Sequence, residues 1–221
     1  MPLTGPRRDA ASGTADSLVI FLHGYGADGQ DLIGLAEPLA PYLPDTLFLA
    51  PNAPERSGVN PMGYQWFPIP WIDGSDEAAA RASRDRSIGL LDDWLTQIAA
   101  ETGLGPERTI LVGFSQGTMM SLHVAPRRAD PVAGIVGFSG RLLEPEKLAG
   151  EIASKPPVLL IHGDQDEVIP VAEMQPAAEA LAGAGVEVGT HVSPGTGHGI
   201  APDGLTLALQ FMLDKLGRAT E

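Results

Sequence analysis

The sequence predicts the α/β class, with a mostly parallel central sheet and helices on both of its faces. Two observations carry that reading. Short apolar runs recur along the chain, and the first, Leu18-Val19-Ile20-Phe21-Leu22, has no polar break. Unbroken apolarity over five residues suits a strand covered on both faces. Between the runs, apolar residues return at spacings of three and four, the spacing of one helix face. Strands alternating with helices imply βαβ units and a parallel sheet.

The elements follow in order. Residues 1–16 are polar and rich in Gly and Pro, and read as an N-terminal tail or a short edge strand. Strands are predicted over 18–22, 46–50, 109–114, 132–138 and 158–161, where apolar residues run together. A sixth over 186–192 is less apolar and belongs nearer an edge. Ile88, Leu91, Leu95 and Ile98 mark a helix over 76–100, and Val171, Met174, Ala178 and Leu181 a second one before Gly183. Leu205, Leu209, Met212, Leu213 and Leu216 mark the last helix, with Asp203 as its N-cap and Gly217 as its C′ residue. The 27 Gly and 20 Pro are spread as punctuation and nowhere gather into a linker. With no repeat and no break in composition, residues 1–221 read as a single domain.

Composition removes several functions. With 14 Lys and Arg against 28 Asp and Glu, the net charge is −14. That balance opposes nucleic-acid binding, which needs cations to neutralise phosphates, and docking on anionic membranes. The absence of Cys excludes disulfides, thiolate metal sites and Cys nucleophiles. No apolar run reaches the roughly 18 residues of a bilayer span, and residues 1–16 lack the apolar core of a signal peptide. No integral membrane association and a cytoplasmic location are therefore expected.

Gly113-Phe114-Ser115-Gln116-Gly117 fits G-x-S-x-G. It follows a predicted strand and opens a helical segment over 118–125, the setting of a nucleophile elbow. A serine hydroxyl needs a base, and the base needs an orienting acid. On an open α/β sheet these follow the serine in the order acid, then His. Of the His residues after Ser115, His123 lies in the helix behind the elbow, His162 ends a strand and His191 lies within one. His198 sits in the loop Ser193-Pro194-Gly195-Thr196-Gly197-His198-Gly199, between the last strand and the last helix, and is the candidate base. Asp164, Asp166 and Glu167 compete for the acid. Asp166 is preferred, since Asp164 follows its strand too closely to reach across a loop.

His23-Gly24-Tyr25-Gly26-Ala27-Asp28-Gly29 also follows a strand and formally matches the dinucleotide fingerprint G-x-G-x-x-G. A nucleotide-binding α/β module is the rival reading. It lacks the acid that should end the second strand, where Ala50-Pro51-Asn52-Ala53-Pro54 stands instead, and Asp28 would repel a pyrophosphate. The hydrolase reading uses the same loop for an oxyanion hole, formed by the backbone N–H groups of Tyr25 and Gln116.

Taken together, His-Gly-Tyr-Gly-Ala-Asp-Gly, Gly-Phe-Ser-Gln-Gly, His-Gly-Asp-Gln-Asp-Glu-Val-Ile-Pro and Gly-His-Gly resemble, in order and spacing, the carboxylesterase and acyl-protein thioesterase family of the α/β-hydrolase fold. The resemblance runs from Leu18 to about Lys215. It implies Ser115, Asp166 and His198 as the triad, Tyr25 and Gln116 as oxyanion donors, no cofactor, no metal, and a homodimer. The gap from Gly140 to Pro156 holds one helix at most, so no large cap domain is expected and the pocket should be open and shallow. The expected reaction is hydrolysis of small or short-to-medium acyl esters through an acyl-enzyme. The alternative is an acyl-protein thioesterase or lysophospholipase. The negative charge disfavours anionic substrates. The chain departs from the family pattern at Pro68-Ile69-Pro70-Trp71 within the 60–73 segment. This reads as a remodelled rim over 68–73, with Met62, Trp66, Phe67 and Trp71 as candidate pocket residues.

Overall fold

A computed structural model describes residues 3–218. Nine strands are described: β1 (Arg7–Arg8), β2 (Ser17–Leu22), β3 (Thr46–Leu49), β4 (Glu55–Arg56), β5 (Tyr64–Gln65), β6 (Thr109–Phe114), β7 (Gly134–Phe138), β8 (Val158–Gly163) and β9 (Val188–Ser193). The helices are α1 (Gly29–Ile33), α2 (Ala36–Leu39), α3 (Pro70–Asp73), α4 (Glu77–Thr102), α5 (Gln116–Val124), α6 (Pro145–Glu151), α7 (Met174–Gly183) and α8 (Pro202–Lys215). Seven strands form one sheet in the order β1-β3-β2-β6-β7-β8-β9. Every pairing is parallel except that of the edge strand β1, which runs antiparallel to β3. β4 and β5 make a separate two-stranded hairpin.

The apolar runs form central strands because both of their faces are covered. Side chains alternate across a strand. In β2, Leu18, Ile20 and Leu22 enter one core, while Val19 and Phe21 enter the other. The first core is covered by α4, α5 and α7 through Leu91, Trp94, Met120, Leu122 and Leu181. The second is covered by α1, α2 and α8 through Leu32, Leu39, Ala208 and Met212. The sheet therefore has helices on both faces, and no large cap rises between strands. Only α6 separates β7 from β8.

Two local expectations change. The last helix begins at Pro202, so Ala201 is its N-cap and Asp203 lies inside the first turn. Proline favours the first helical position, which places the boundary two residues before the one the aspartate pointed to. Asp203 instead accepts a hydrogen bond from His191 Nε2 at 2.7 Å. The helix marked by Val171 starts later than that residue: Val171–Glu173 form a short 3-10 turn, and α7 begins at Met174. No helix among the described residues is long and apolar enough to cross a membrane.

Candidate active site

Parallel strands deliver their following loops to one edge of the sheet, and that is where sites form on open α/β sheets. Here the carboxyl ends of β2, β6, β8 and β9 carry Tyr25, Ser115, Asp166 and His198 respectively. Tyr25, Ser115, Gln116 and His198 line one cavity of about 420 Å³.

Ser115 stands between β6 and α5 with φ 54° and ψ −114°, in the sparsely populated positive-φ region. Such a backbone costs on the order of 1–3 kcal/mol and persists only where its surroundings hold it. The surroundings are tight. A Cβ at Gly113 would meet the Thr118 nitrogen at 2.4 Å, and one at Gly117 would meet the Leu22 carbonyl at 1.8 Å. Gly117 therefore lets α5 press its first turn against the end of β2.

His198 Nδ1 and Asp166 Oδ2 are 2.8 Å apart, and the His198 ring packs on Phe114 at 4.9 Å between centroids. The loop carrying His198 crosses directly over the end of β8. A Cβ at Gly163 would lie 2.2 Å from the Thr196 carbonyl, so only glycine permits that crossing. The Asp166 carboxylate is fully enclosed. Its Oδ1 accepts from the Val168 and Ile169 N–H groups, each at 2.9 Å. Burial pushes this carboxyl up, but the bonds from His198, Ile169 and Val168 outweigh it and hold the acid below its ordinary value. Asp164 is exposed, and its N–H donates to the Ser193 carbonyl at 3.2 Å. Glu167 is exposed as well and lies on the cavity wall.

The backbone N–H groups of Tyr25 and Gln116 have no hydrogen-bond partner among the described residues. The Tyr25 loop is stapled from several sides. Gly26 N–H donates to the Tyr64 carbonyl at 2.8 Å, Tyr64 N–H returns to the Ala27 carbonyl at 2.7 Å, and Asn60 Nδ2 donates to the Gly26 carbonyl at 2.7 Å. The Tyr25 hydroxyl donates to Asp73 Oδ2 at 2.8 Å. Burial pushes the Tyr25 phenol up to about 12, and the neighbouring Asp73 adds to the shift. Burial also pushes Asp73 up, but donors on Ser75, Ile69 and Tyr25 prevail and hold its carboxyl at about 2.

Of the four candidate pocket residues, Phe67 and Trp71 line the cavity and two do not. Trp66 is 0 % exposed and belongs to the core, where its Nε1 donates to the His23 carbonyl at 3.0 Å. Met62 is 80 % exposed at the tip of the β4–β5 hairpin, away from the cavity. The 60–73 segment has no period that would sort inward from outward side chains, so large apolar character alone misassigned both.

Three supporting side chains escaped sequence reasoning. Gln116 Oε1 accepts from Trp66 N–H and its Nε2 donates to the Phe67 carbonyl, both at 2.8 Å, tying α5 to the cavity wall. His23 Nε2 accepts from Ala53 N–H at 2.9 Å, so the ring's proton sits on Nδ1 and faces the Gly24 carbonyl at 2.8 Å. Burial lowers the pKa of His23 and keeps it neutral. His162 is 2 % exposed, with Nε2 2.8 Å from the Ile169 carbonyl and 3.2 Å from Asp166 Oδ2. Only the position of His162 two and four residues before the competing acids hinted at its place. The glycine fingerprint also resolves. Asp28 caps α1 in a reciprocal box with Asp31, so a carboxylate occupies the helix end that a pyrophosphate would need.

A parallel sheet with a strained serine at its central strand–helix turn, and a buried aspartate–histidine pair beside it, defines an α/β-hydrolase. The phospholipase/carboxylesterase family model matches residues 8–215. The crystal structure of esterase PE8 is 49 % identical, covers 98 % of this chain and 100 % of its own, and superposes with a TM-score of 0.92. Esterase YpfH of Escherichia coli is 31 % identical over 203 residues, 91 % of this chain and 82 % of its own length. Acyl-protein thioesterase 1 of Gibberella zeae is 30 % identical over 211 residues, 90 % of each. The chain belongs to the phospholipase/carboxylesterase family and is an ester hydrolase.

Proposed function

We propose that the chain is a serine carboxylesterase acting on small or short-to-medium acyl esters, with residues 1–221 working as one hydrolase domain. Ser115 attacks the ester carbonyl while His198 Nε2 takes its proton. Asp166 holds the Nδ1–H tautomer and stabilises the imidazolium that forms. The N–H groups of Tyr25 and Gln116 receive the oxyanion, and one such donor contributes roughly 2.7–4 kcal/mol to the transition state. His198 then returns its proton to the departing alcohol, and water repeats the sequence on the acyl-enzyme. No metal or cofactor enters any step.

The observation that carries this reading is the 2.8 Å contact between His198 Nδ1 and an enclosed Asp166, with His198 and Ser115 on one cavity. A second reading, acyl thioester hydrolysis, draws on the acyl-protein thioesterase relatives and uses the same residues. Rates on a p-nitrophenyl butyrate and on a long-chain acyl thioester separate the two. A fluorophosphonate probe followed by peptide mapping tests the nucleophile. It should label Ser115 and leave Ser115→Ala unlabelled and inactive. Labelling elsewhere, or esterase activity retained in Ser115→Ala, would remove the proposal.

A further inference from the structure

A second cavity of about 230 Å³ adjoins the one that contains Ser115. Phe67, Ile69, Trp71 and Arg141 line both cavities, so these four residues stand between them. Phe67 and Ile69 are buried and fixed in the fold. Trp71 is different, since it is 73 % exposed, on the short helix α3 in the part of the chain that departs from the family pattern. Leaving an indole in water is unfavourable, and nothing in the core uses this one. It is nevertheless held in place. The Arg141 guanidinium lies over its ring at 5.6 Å, and Arg141 has no carboxylate or hydrogen-bond partner among the described residues. The other two arginines on the second cavity are engaged, Arg81 with Glu77 and Arg84 with Asp85 and Glu144. At the other end of α3, Asp73 accepts from Ile69 N–H and from the Tyr25 hydroxyl. Asp73 thus anchors the short helix that carries Trp71, and Arg141 lies over the indole itself.

We propose that Trp71, clamped by Arg141, is a partition that closes the acyl site off from the second cavity and sets the upper limit of acyl length. The proposal rests on the esterase reading of Ser115. The volume behind the partition is about that of seven or eight water molecules at ~30 Å³ each, and a methylene takes a similar space. Truncating the indole would join the two cavities, and the newly reached wall includes Pro68, Pro70, Ala80 and Leu143. Each methylene buried there should improve binding about fourfold. If two of the six extra methylenes of a decanoyl over a butyryl chain become buried, the gain is about sixteenfold.

The test compares kcat/KM on p-nitrophenyl acetate, butyrate and decanoate for the parent, Trp71→Ala, Trp71→Phe and Arg141→Gln. Trp71 is exposed, so its truncation leaves the core intact. The decanoate-to-butyrate ratio should rise at least tenfold in Trp71→Ala, through KM. Trp71→Phe should keep the parental ratio, and Arg141→Gln should shift it in the same direction by less. An unchanged ratio in Trp71→Ala overturns the partition. So does an equal loss on all three esters, which would make Trp71 a support for the Tyr25 loop. Failure of the parent to hydrolyse acetate would sink the esterase reading itself, and is read separately from the ratio.

Discussion

Replacing Gln116 by Ala tests how far the cavity wall depends on one side chain. The substitution leaves the Gln116 backbone N–H in place and removes two side-chain hydrogen bonds of 2.8 Å, to Trp66 N–H and the Phe67 carbonyl. Both partners belong to buried residues, Trp66 fully so. A buried polar group left unpaired costs about 1–3 kcal/mol. Trp66 N–H has no route to water and falls at the upper end. The Phe67 carbonyl borders the cavity, rehydrates in part and falls at the lower end. The sum is about 3–4 kcal/mol. For a domain of this size 1 kcal/mol moves Tm by roughly 2–4 °C, so thermal unfolding followed by circular dichroism should shift down by about 6–16 °C. Gln116→Glu sharpens the test. Its carboxylate still accepts from Trp66 N–H but faces the Phe67 carbonyl with an oxygen, so at neutral pH it should be no more stable than the Ala variant. A Tm for Gln116→Ala within about 2 °C of the parent would refute the clamp.

Trp66→Ala should lose about 3–5 kcal/mol, the range for emptying a buried aromatic site, while Met62→Ala should stay within about 0.5 kcal/mol; urea unfolding of the two variants checks this contrast, and equal losses would contradict it. Burial, reinforced by Arg127 and Arg84, lowers the His123 pKa from 6.5 to about 4, so the unfolded chain takes up this proton first. Stability from this group is complete above pH 6.5 and is lost as pH falls toward 4, by on the order of 3 kcal/mol. His123→Phe should flatten the pH dependence of Tm across that window, and a slope equal to the parent's would contradict the assignment. Asp166→Asn should reduce kcat by roughly 10⁴, the scale for losing the orienting acid, whereas Asp164→Asn should leave it within a few-fold; equal losses would reopen the choice of acid.

The parts of this fold legible in the sequence are those whose physics is local. Leu18 to Leu22 reads as a doubly covered strand because apolarity on both parities has no other economical explanation. Gly113 and Gly117 flank the serine because the first turn of α5 folds back onto Gly113 of β6 while Gly117 presses on the end of β2, a constraint written into two positions of one pentapeptide. Asp203 shows where local reading overreached. It looked like a cap, but Pro202 carried the stronger boundary signal and released the aspartate to pair with His191. Trp66 and Trp71 are five residues apart, chemically identical and opposite in role. Which of them turns inward is decided by the His23 carbonyl, the Ser87 hydroxyl that donates to the Trp66 carbonyl, and Gln116. These partners lie 21 to 50 residues away, and no local pattern encodes them.

The same long-range bonds couple specificity to catalysis. Trp66 and Phe67 are held by the side chain of Gln116, whose backbone N–H is one proposed oxyanion donor. Asp73 closes α3 beneath Trp71, and its carboxylate holds the hydroxyl of Tyr25, which supplies the other. The 60–73 segment therefore grips both residues of the proposed oxyanion hole while it forms the wall of the acyl site. Removal of an exposed side chain such as Trp71 should change which chain fits and leave the hole intact, because no bond to Tyr25 or Gln116 passes through the indole. Removal of Asp73 should do the reverse. Asp73→Ala frees the Tyr25 hydroxyl and the Ile69 N–H together, so kcat should fall on acetate and decanoate alike, with little change in their ratio. A variant of Asp73 that altered the ratio and spared acetate turnover would mean that the two functions of this segment are separable at a different residue from the one the geometry assigns.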